Sequence, residues 1–371
     1  MTKIVLMGPI SPPYHGQSVA FTAIVEYYRR NKQFDCIEIN YSNKDGIISG
    51  LLLCLNITYK IIFNKIDLIY FTCSRSFSGS IRDVVMLFWA RIFNIKVVNH
   101  LHGRDFKLFY KNSSPVYRKI LKWCYEGVSE SIVLLDGMKI LFNDFPHMKV
   151  DVVANSYSVA LDDYPKTKTL SAGPLHFLYL SNIMESKGIL HLLDAFEIVF
   201  KNHSACKFTI AGDFMGDYIS SGSEIQEKFQ ATYQKRKEKY PNQIDYIGVV
   251  AGKRKNDLLW QSDIFILPTF HQMEAFPISL LEALRAGNYI ISTNHNYIPE
   301  IITPKNGKLI EPNSVEALCS AIEYVLTDKN VLNEIQNYNI NDALLNYSEE
   351  KYIKDVTQII NENFNHNNSL Q

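Results

Sequence analysis

Glu274-Ala275-Phe276-Pro277-Ile278-Ser279-Leu280-Leu281-Glu282 sets two carboxylates around an apolar run that holds one proline. Pro277 lacks a donor N–H and has a fixed φ, which suits the first position of a helix and stops that helix from extending back to Glu274. The spacing therefore predicts Glu274 in the preceding loop and Glu282 more than a turn inside a helix. At about 1.5 Å of rise per residue, the two acids stand roughly as far apart as the hexose and the ribose of a sugar nucleotide. Between them the free N–H groups of the helix start, together with the helix dipole, form a site for an anion such as a diphosphate. A core helix with a buried stripe at Ile278, Leu281 and Leu284 and two incidental acids explains the same stretch equally well, so the flanks decide.

The flanks complete a strand–loop–helix–strand unit. Asp263-Ile264-Phe265-Ile266-Leu267-Pro268 is a short apolar run bounded by turn signals, and beyond the helix Gly287 leads to a second run, Tyr289-Ile290-Ile291-Ser292-Thr293. The same alternation runs through the chain. Strands are predicted at 4–7, 36–39, 68–72, 96–99, 132–135 and 150–153, and again at 176–180, 207–211, 244–248, 264–267, 289–292 and 308–310, with helical patterns between them. Such alternation makes a parallel, doubly wound α/β sheet, whose ligands sit at the carboxyl ends of the strands. At 371 residues the chain exceeds what one hydrophobic core serves, so two such domains are expected.

On these residues the chain resembles the retaining glycosyltransferases of the two-Rossmann (GT-B) architecture. The resemblance is to the family 4, or glycosyl transferases group 1, type that includes bacterial surface-polysaccharide and O-antigen enzymes. That family carries its paired glutamates in this loop and helix. The resemblance implies an α/β GT-B fold, with two Rossmann-like doubly wound parallel-sheet domains facing across a cleft. Residues 1–160 form the acceptor side, 161–173 a polar linker, 174–345 the nucleotide-sugar-binding domain, and 346–371 a C-terminal crossing helix and polar tail. It also implies an enzyme that moves a sugar from a UDP- or GDP-linked donor to a hydroxyl of a glycan acceptor, with retention of configuration. A polyprenyl-diphosphate-linked oligosaccharide is the expected acceptor.

Other residues fall where that family places its site. The loop 8–18 ends in Gly16 just before a helix; glycine there lets backbone approach a ligand, as the family's glycine-rich element does, and it equally suits an ordinary βα turn. Of the family's two adjacent glycines only one remains, in His15-Gly16. Val97-Val98-Asn99-His100-Leu101-His102-Gly103-Arg104-Asp105 ends an apolar strand in polar groups, with two histidines on one face. The family's His-Gly pair falls on His102-Gly103, which implies that His102 lies near the transferred sugar; a structural histidine is the other reading. In Ser181-Asn182-Ile183-Met184-Glu185-Ser186-Lys187-Gly188, Lys187 matches the family's donor-phosphate lysine. The arginine usual five residues earlier is Asn182 here, so phosphate neutralisation rests on Lys187, on the helix start at Pro277 to Ser279, or on another cation from Lys253-Arg254-Lys255. By resemblance, His102 and Glu274 are the catalytic candidates, and Gly16, Asn182, Lys187, Phe276, Pro277, Ile278 and Glu282 bind the donor.

Composition narrows the class. Apolar residues make up 47% of the chain and charged residues 20%, which marks a globular protein, and a formal net charge of zero gives no pull towards nucleic acid. The six cysteines, Cys36, Cys54, Cys73, Cys124, Cys206 and Cys319, form no C-x-x-C pair, which argues against a zinc site and for reduced thiols in the cytoplasm. No Asp-x-Asp occurs, so neither a metal nor another cofactor is expected, the nucleotide sugar being a substrate. Met1-Thr2-Lys3 leads straight into a strand, with no export signal expected. Ile47–Phe63 falls short of a membrane span and reads as a packed helix, with an interfacial helix as the second reading. Segment 106–123 interleaves bases with aromatics and reads either as a solvated amphipathic helix or as peripheral contact with the cytoplasmic face of the inner membrane. Two other classes stay open. A nucleotide-sugar epimerase of similar two-domain fold turns its donor over without an acceptor, and a catalytically silent sugar-binding homologue binds donor without turnover.

Overall fold

The computed structural model describes residues 2–12, 16–42, 46–170 and 173–368. The chain divides at Asn155/Ser156 and again at Ser348/Glu349 into two compact units. Each unit holds a six-stranded parallel sheet flanked by helices, the pair of Rossmann-like units that make up the GT-B fold.

Unit 1 runs β1 (Thr2–Gly8), α1 (Gly16–Arg30), β2 (Phe34–Asn40), α2 (Ile47–Ile62), β3 (Leu68–Thr72), α3 (Phe77–Ile92), β4 (Lys96–His100), α4 (Phe106–Asn112), α5 (Pro115–Tyr125), β5 (Glu130–Val133) and β6 (Lys149–Val152). Its strand order is β2-β1-β3-β4-β5-β6, so winding reverses between β1 and β3, which pair from Ile4↔Leu68 to Met7↔Phe71. The central strand β3, Leu-Ile-Tyr-Phe-Thr, is buried at every position, as a strand covered by helices on both faces must be. α2 packs beside α3 and α3 beside α5. Ser76 and Ser114 cap α3 and α5 by accepting from Gly79 N and Tyr117 N, which fixes where these helices start.

Unit 2 runs β7 (Leu175–Leu180), α6 (Ile189–Asn202), β8 (Cys206–Ala211), α7 (Gly222–Lys239), β9 (Ile244–Tyr246), α8 (Gly252–Gln261), β10 (Ile264–Leu267), α9 (Ile278–Arg285), β11 (Tyr289–Thr293), β12 (Gly307–Ile310), α10 (Val315–Thr327) and α11 (Asn330–Asn346). The order β12-β11-β10-β7-β8-β9 puts its reversal between β7 and β10. Such a point leaves a crevice at the carboxyl ends of the two strands. The last helix, α12 (Glu349–Asn368), counts with unit 1: Tyr352, Val356 and Ile360 enter one core with Ile4, Phe21, Ile24 and Tyr28.

Every strand expected from the apolar pattern is present, with bounds that agree to within two residues. The stretch expected as a linker, 161–173, is tied to unit 2. Arg285 is fully buried and donates to the carbonyls of Tyr164 and Pro165 at 2.9 and 3.2 Å, while Lys168 Nζ donates to the carbonyls of Ser262 and Ala286. The apolar stretch 47–63 does form a helix, but only its inner side packs: Leu53, Ile57 and Ile61 are buried, and Ile47, Ile48, Leu51, Leu52 and Leu55 face outward. Segment 106–123 forms α4 and α5, with Phe106, Tyr110 and Leu121 buried and Lys111, Lys119 and Lys122 exposed. No helix among the described residues is long and apolar enough to cross a membrane.

Candidate functional site

In unit 2 the loops after β7 and β10 flank the reversal of the sheet, and each brings one charged side chain to it. Lys187 sits on a single turn of 3₁₀ helix, Glu185–Lys187, closed by Gly188 at φ +78° before α6 begins. A Cβ at residue 188 would collide with the carbonyl of Pro268 at the end of β10, so glycine is what lets the two loops touch. There Lys187 Nζ donates to Glu274 Oε2, and Thr269 Oγ1 donates to the same oxygen at 3.1 Å. Both charges are largely withdrawn from water, their side chains being 13% and 9% exposed.

The backbone around Glu274 is pinned from two directions. Asn296, at φ +50°, donates Nδ2 to the carbonyls of His271, Gln272 and Glu274 at 3.2 to 3.3 Å. Ser186 Oγ lies 2.8 Å from His271 Nδ1, and Ser186 N donates to Asp217 Oδ2 at 2.7 Å. Burial and the nearby Lys187 charge hold His271 below the usual imidazole range, so its ring is neutral at pH 7. Asp217 stays below the usual carboxylate range in spite of partial burial, because Ser186 and neighbouring amides donate to it.

Pro277 is the N-cap of α9 and not its first helical residue, with φ −67° and ψ 110°. The helix therefore starts one residue later than expected, but since proline has no N–H the first amides without intrahelical partners are still those of Ile278 and Ser279. Glu282 follows about 6 Å of axial rise beyond Ile278. The helix is buried at every position from Leu280 to Arg285, and Ile278 is only half-buried, so a one-sided stripe does not describe it. Glu282 Oε1 accepts from Lys255 of α8, with the two side chains 7% and 23% exposed. Two of the three cations suggested to replace the missing arginine are thus engaged: Lys255 sits on Glu282, and Lys253 on Asp257 at 2.7 Å. Asn182 is exposed, with Nδ2 3.5 Å from Met215 Sδ, and Phe276 is buried edge-on to Tyr347. Unit 2 thus brings Glu274 together with Lys187, and Glu282 with Lys255, at the two ends of the start of one helix. A polyol with an anionic group has hydroxyl acceptors and exchangeable cations here at once.

Unit 1 holds the remaining candidates. Gly16 opens α1, whereas His15, its neighbour in the glycine-loop pair, lies outside the described residues. The ring of His102, two residues beyond β4, stacks on His100 with centroids 4.1 Å apart. His100 is fully buried with Nδ1 2.8 Å from Tyr70 Oη, and burial, then its neighbour His102, hold it well below the usual imidazole range. It is a neutral platform for His102. At the carboxyl ends of β1 and β3 a cavity of about 890 Å³ opens, lined among others by Pro9, Gln17, Tyr41, Arg75, Arg82 and Asp105. Arg75 pairs with Asp105 at 3.0 Å, and the Arg82 guanidinium lies 3.4 Å over the Tyr41 ring. Sequence reasoning passed over both arginines, although Arg75, three residues past a strand that borders the winding reversal, is a readable signal. It also passed over Thr269 and Asn296, whose roles depend on loop geometry. Among the described residues no group of three or more His, Cys, Asp or Glu side chains is arranged so as to hold a metal ion.

Known proteins resemble the chain in sequence and in fold. The chain is 29% identical over 64% of its length to the lipopolysaccharide 1,2-N-acetylglucosaminetransferase of Salmonella typhimurium, covering 59% of that protein. It is 24% identical over 59% of its length to the gpi3 subunit of phosphatidylinositol N-acetylglucosaminyltransferase of Schizosaccharomyces pombe, covering 46% of it. The chain spans about half the length of the curated relatives it matches. In fold, 98% of the chain superposes on all of Anabaena HepE, solved in complex with UDP, with a TM-score of 0.72 at 14% identity. Residues 162–342, which carry Lys187, Glu274 and Glu282, match the model of the glycosyl transferases group 1, and it is to this family that this part of the chain belongs.

Proposed function

We propose that the protein transfers a sugar, with retention of configuration, from a UDP- or GDP-linked donor to a hydroxyl of a glycan acceptor carried on a lipid, in surface-polysaccharide synthesis. The observation that carries this reading is the pair of lysine-clamped glutamates around the start of α9. Breaking an anomeric bond develops negative charge on the diphosphate and oxocarbenium character on the sugar, so fixed donors near the first and acceptors near the second lower the barrier. Lys187 moves from Glu274 to the diphosphate, beside the amides of Ile278 and Ser279. Glu274, still held by Thr269, then accepts from hydroxyls of the hexose. Glu282 accepts from the ribose, with Lys255 fixing its orientation. In unit 1, His102 serves a sugar hydroxyl and the arginine-lined cavity serves the acceptor. No side chain is required as a covalent nucleophile; the leaving diphosphate assists the incoming hydroxyl on the same face. Names of relatives support the class of reaction: two of them transfer N-acetylglucosamine.

A thermal-shift screen against UDP- and GDP-sugars tests it. A ligand bound only by the native state adds about 2.7 kcal/mol at one hundred times its Kd, so one donor raises Tm by several degrees. Lys187→Ala shrinks that rise. Silence from every donor overturns the reading. Donor turnover without acceptor converts it to an epimerase, and binding without any turnover to a silent homologue.

A further inference from the structure

The outer face of α2 is apolar and faces water. Ile47, Ile48, Leu51, Leu52 and Leu55 are 84, 76, 61, 60 and 66% exposed, and Phe63 just past the helix is 71% exposed. Their spacing puts the five helical ones on one side, opposite Leu53, Ile57 and Ile61, which pack inward. Monomeric soluble proteins rarely leave so continuous a row open. The neighbouring helices expose apolar groups too: Phe88 of α3 meets Trp123 of α5 at 5.8 Å, and Ile92 and Ile120 are exposed.

Charge identifies what covers it. Segment 106–125 contains Lys107, Lys111, Arg118, Lys119 and Lys122 and no acid, and α2 contains Lys60 and no acid. The acid of α3, Asp83, is buried and turned inward to Ser74 N and Arg82. Lys119 and Lys122 are interleaved with Ile120 and Trp123 along α5. An apolar row bordered by these bases, which outnumber Glu126, an exposed acid 3.9 Å from Lys122, matches an anionic bilayer, which takes hydrocarbon below and cations at the headgroups. A second copy of the chain would set the bases of α5 against themselves.

We propose that this face of unit 1 seats on an anionic membrane, with α2 lying in the plane of the interface. The inference deepens the reading of a lipid-borne acceptor, and its test omits donor and acceptor, so that its failure leaves donor binding by unit 2 standing. The full chain is sedimented with vesicles of phosphatidylcholine alone or with about one third phosphatidylglycerol. The wild type is expected to pellet with the anionic vesicles, L52S/L55S to partition at least about tenfold less, and K119E/K122E to lose the preference for anionic lipid. Since both lysines are exposed, that variant reports even if the leucine pair disturbs folding. The proposal is overturned if the wild type stays in solution with both vesicles, or if both variants bind as it does. It is equally overturned if sedimentation velocity shows a dimer that L52S/L55S dissolves, which gives the face to a second copy.

Discussion

α2 and α9 are both crossover helices on parallel sheets, and they break the usual match of polarity to environment in opposite directions. α9, eight residues long, buries Glu282 and Arg285 among leucines, and each finds a partner inside the chain: Lys255 for the acid, and Asp162 with the Tyr164 and Pro165 carbonyls for the arginine. α2, sixteen residues long, buries three side chains and leaves Ile47, Ile48, Leu51, Leu52 and Leu55 each at least 60% exposed. A buried charge costs several kcal/mol unless paired, so α9 is tolerable only because its environment is complete. An exposed apolar row costs the fold little by itself but keeps an unspent attraction for any apolar phase. One helix is finished by its own domain, and the other by something outside it.

The comparison breaks first at Glu274, which forms the loop end of the α9 site. Glu274→Ala is expected to lower kcat/KM by about a thousandfold or more, roughly 4 kcal/mol of transition-state stabilisation, with the circular dichroism spectrum unchanged. Near-normal turnover in the folded variant removes Glu274 from the chemistry. Next comes Arg285→Ala, which strands two carbonyls and opens a cavity in the place of the bulkiest fully buried side chain. It is expected to cost about 3–5 kcal/mol in urea unfolding, because two carbonyls lose their donor and the cavity adds to that loss. A loss under about 1 kcal/mol would show that the packing of α9 does not depend on its charge, contrary to the comparison drawn above.

What the sequence makes legible follows from what its physics specifies locally. The strands stand out because apolar runs such as Ile264–Leu267 are buried on both faces, and no partner need be known to read that. The helix start is placed one residue early because a proline without an N–H fits the N-cap and the first helical position alike. Arg285 is illegible as a core residue, since arginine is almost never fully buried and its partners lie about 120 positions upstream. The Lys255–Glu282 pair depends on how α8 packs on α9, and Asn296 acts through a left-handed backbone that its own residue type only permits. The reading of α2 as packed holds for its inner face alone, because an apolar helix has the same composition whatever covers its outer one.

Lys168 gives a further, smaller lever on the α9 neighbourhood, because it donates to the carbonyl of Ala286 at that helix's C-terminus. Burial pushes its ammonium down from 10.5 to about 8. Between those values the unfolded chain holds a proton that the folded one has released, so native stability rises with pH there and the deficit is complete below the folded value. Relative to Lys168→Met, the wild type should gain up to about 3 kcal/mol between pH 8 and 10.5. Urea midpoints of the two proteins across that range read it, and parallel curves would mean that Lys168 titrates as in water.

The smallest expected effect bears most directly on the contrast between the helices. If α2 owes nothing to its outer row, L52S/L55S should leave the free energy of unfolding within about 0.5 kcal/mol of wild type, as for substitutions on open surface. A packed leucine truncated to a polar residue costs about 2–5 kcal/mol each, so the two outcomes are far apart. Serine lowers helix propensity by a few tenths of a kcal/mol per site, and loss of residual apolar clustering in the unfolded chain acts the other way. Urea denaturation without lipid is the measurement, and a fall of several kcal/mol would mean that the outer face is covered in solution by protein. The same variant measured with anionic vesicles should lose the stabilisation that the wild type gains from them, because a surface bound only by the native state adds to stability by mass action. Neutral without membrane and deficient with it is the signature of a helix whose partner lies outside the fold.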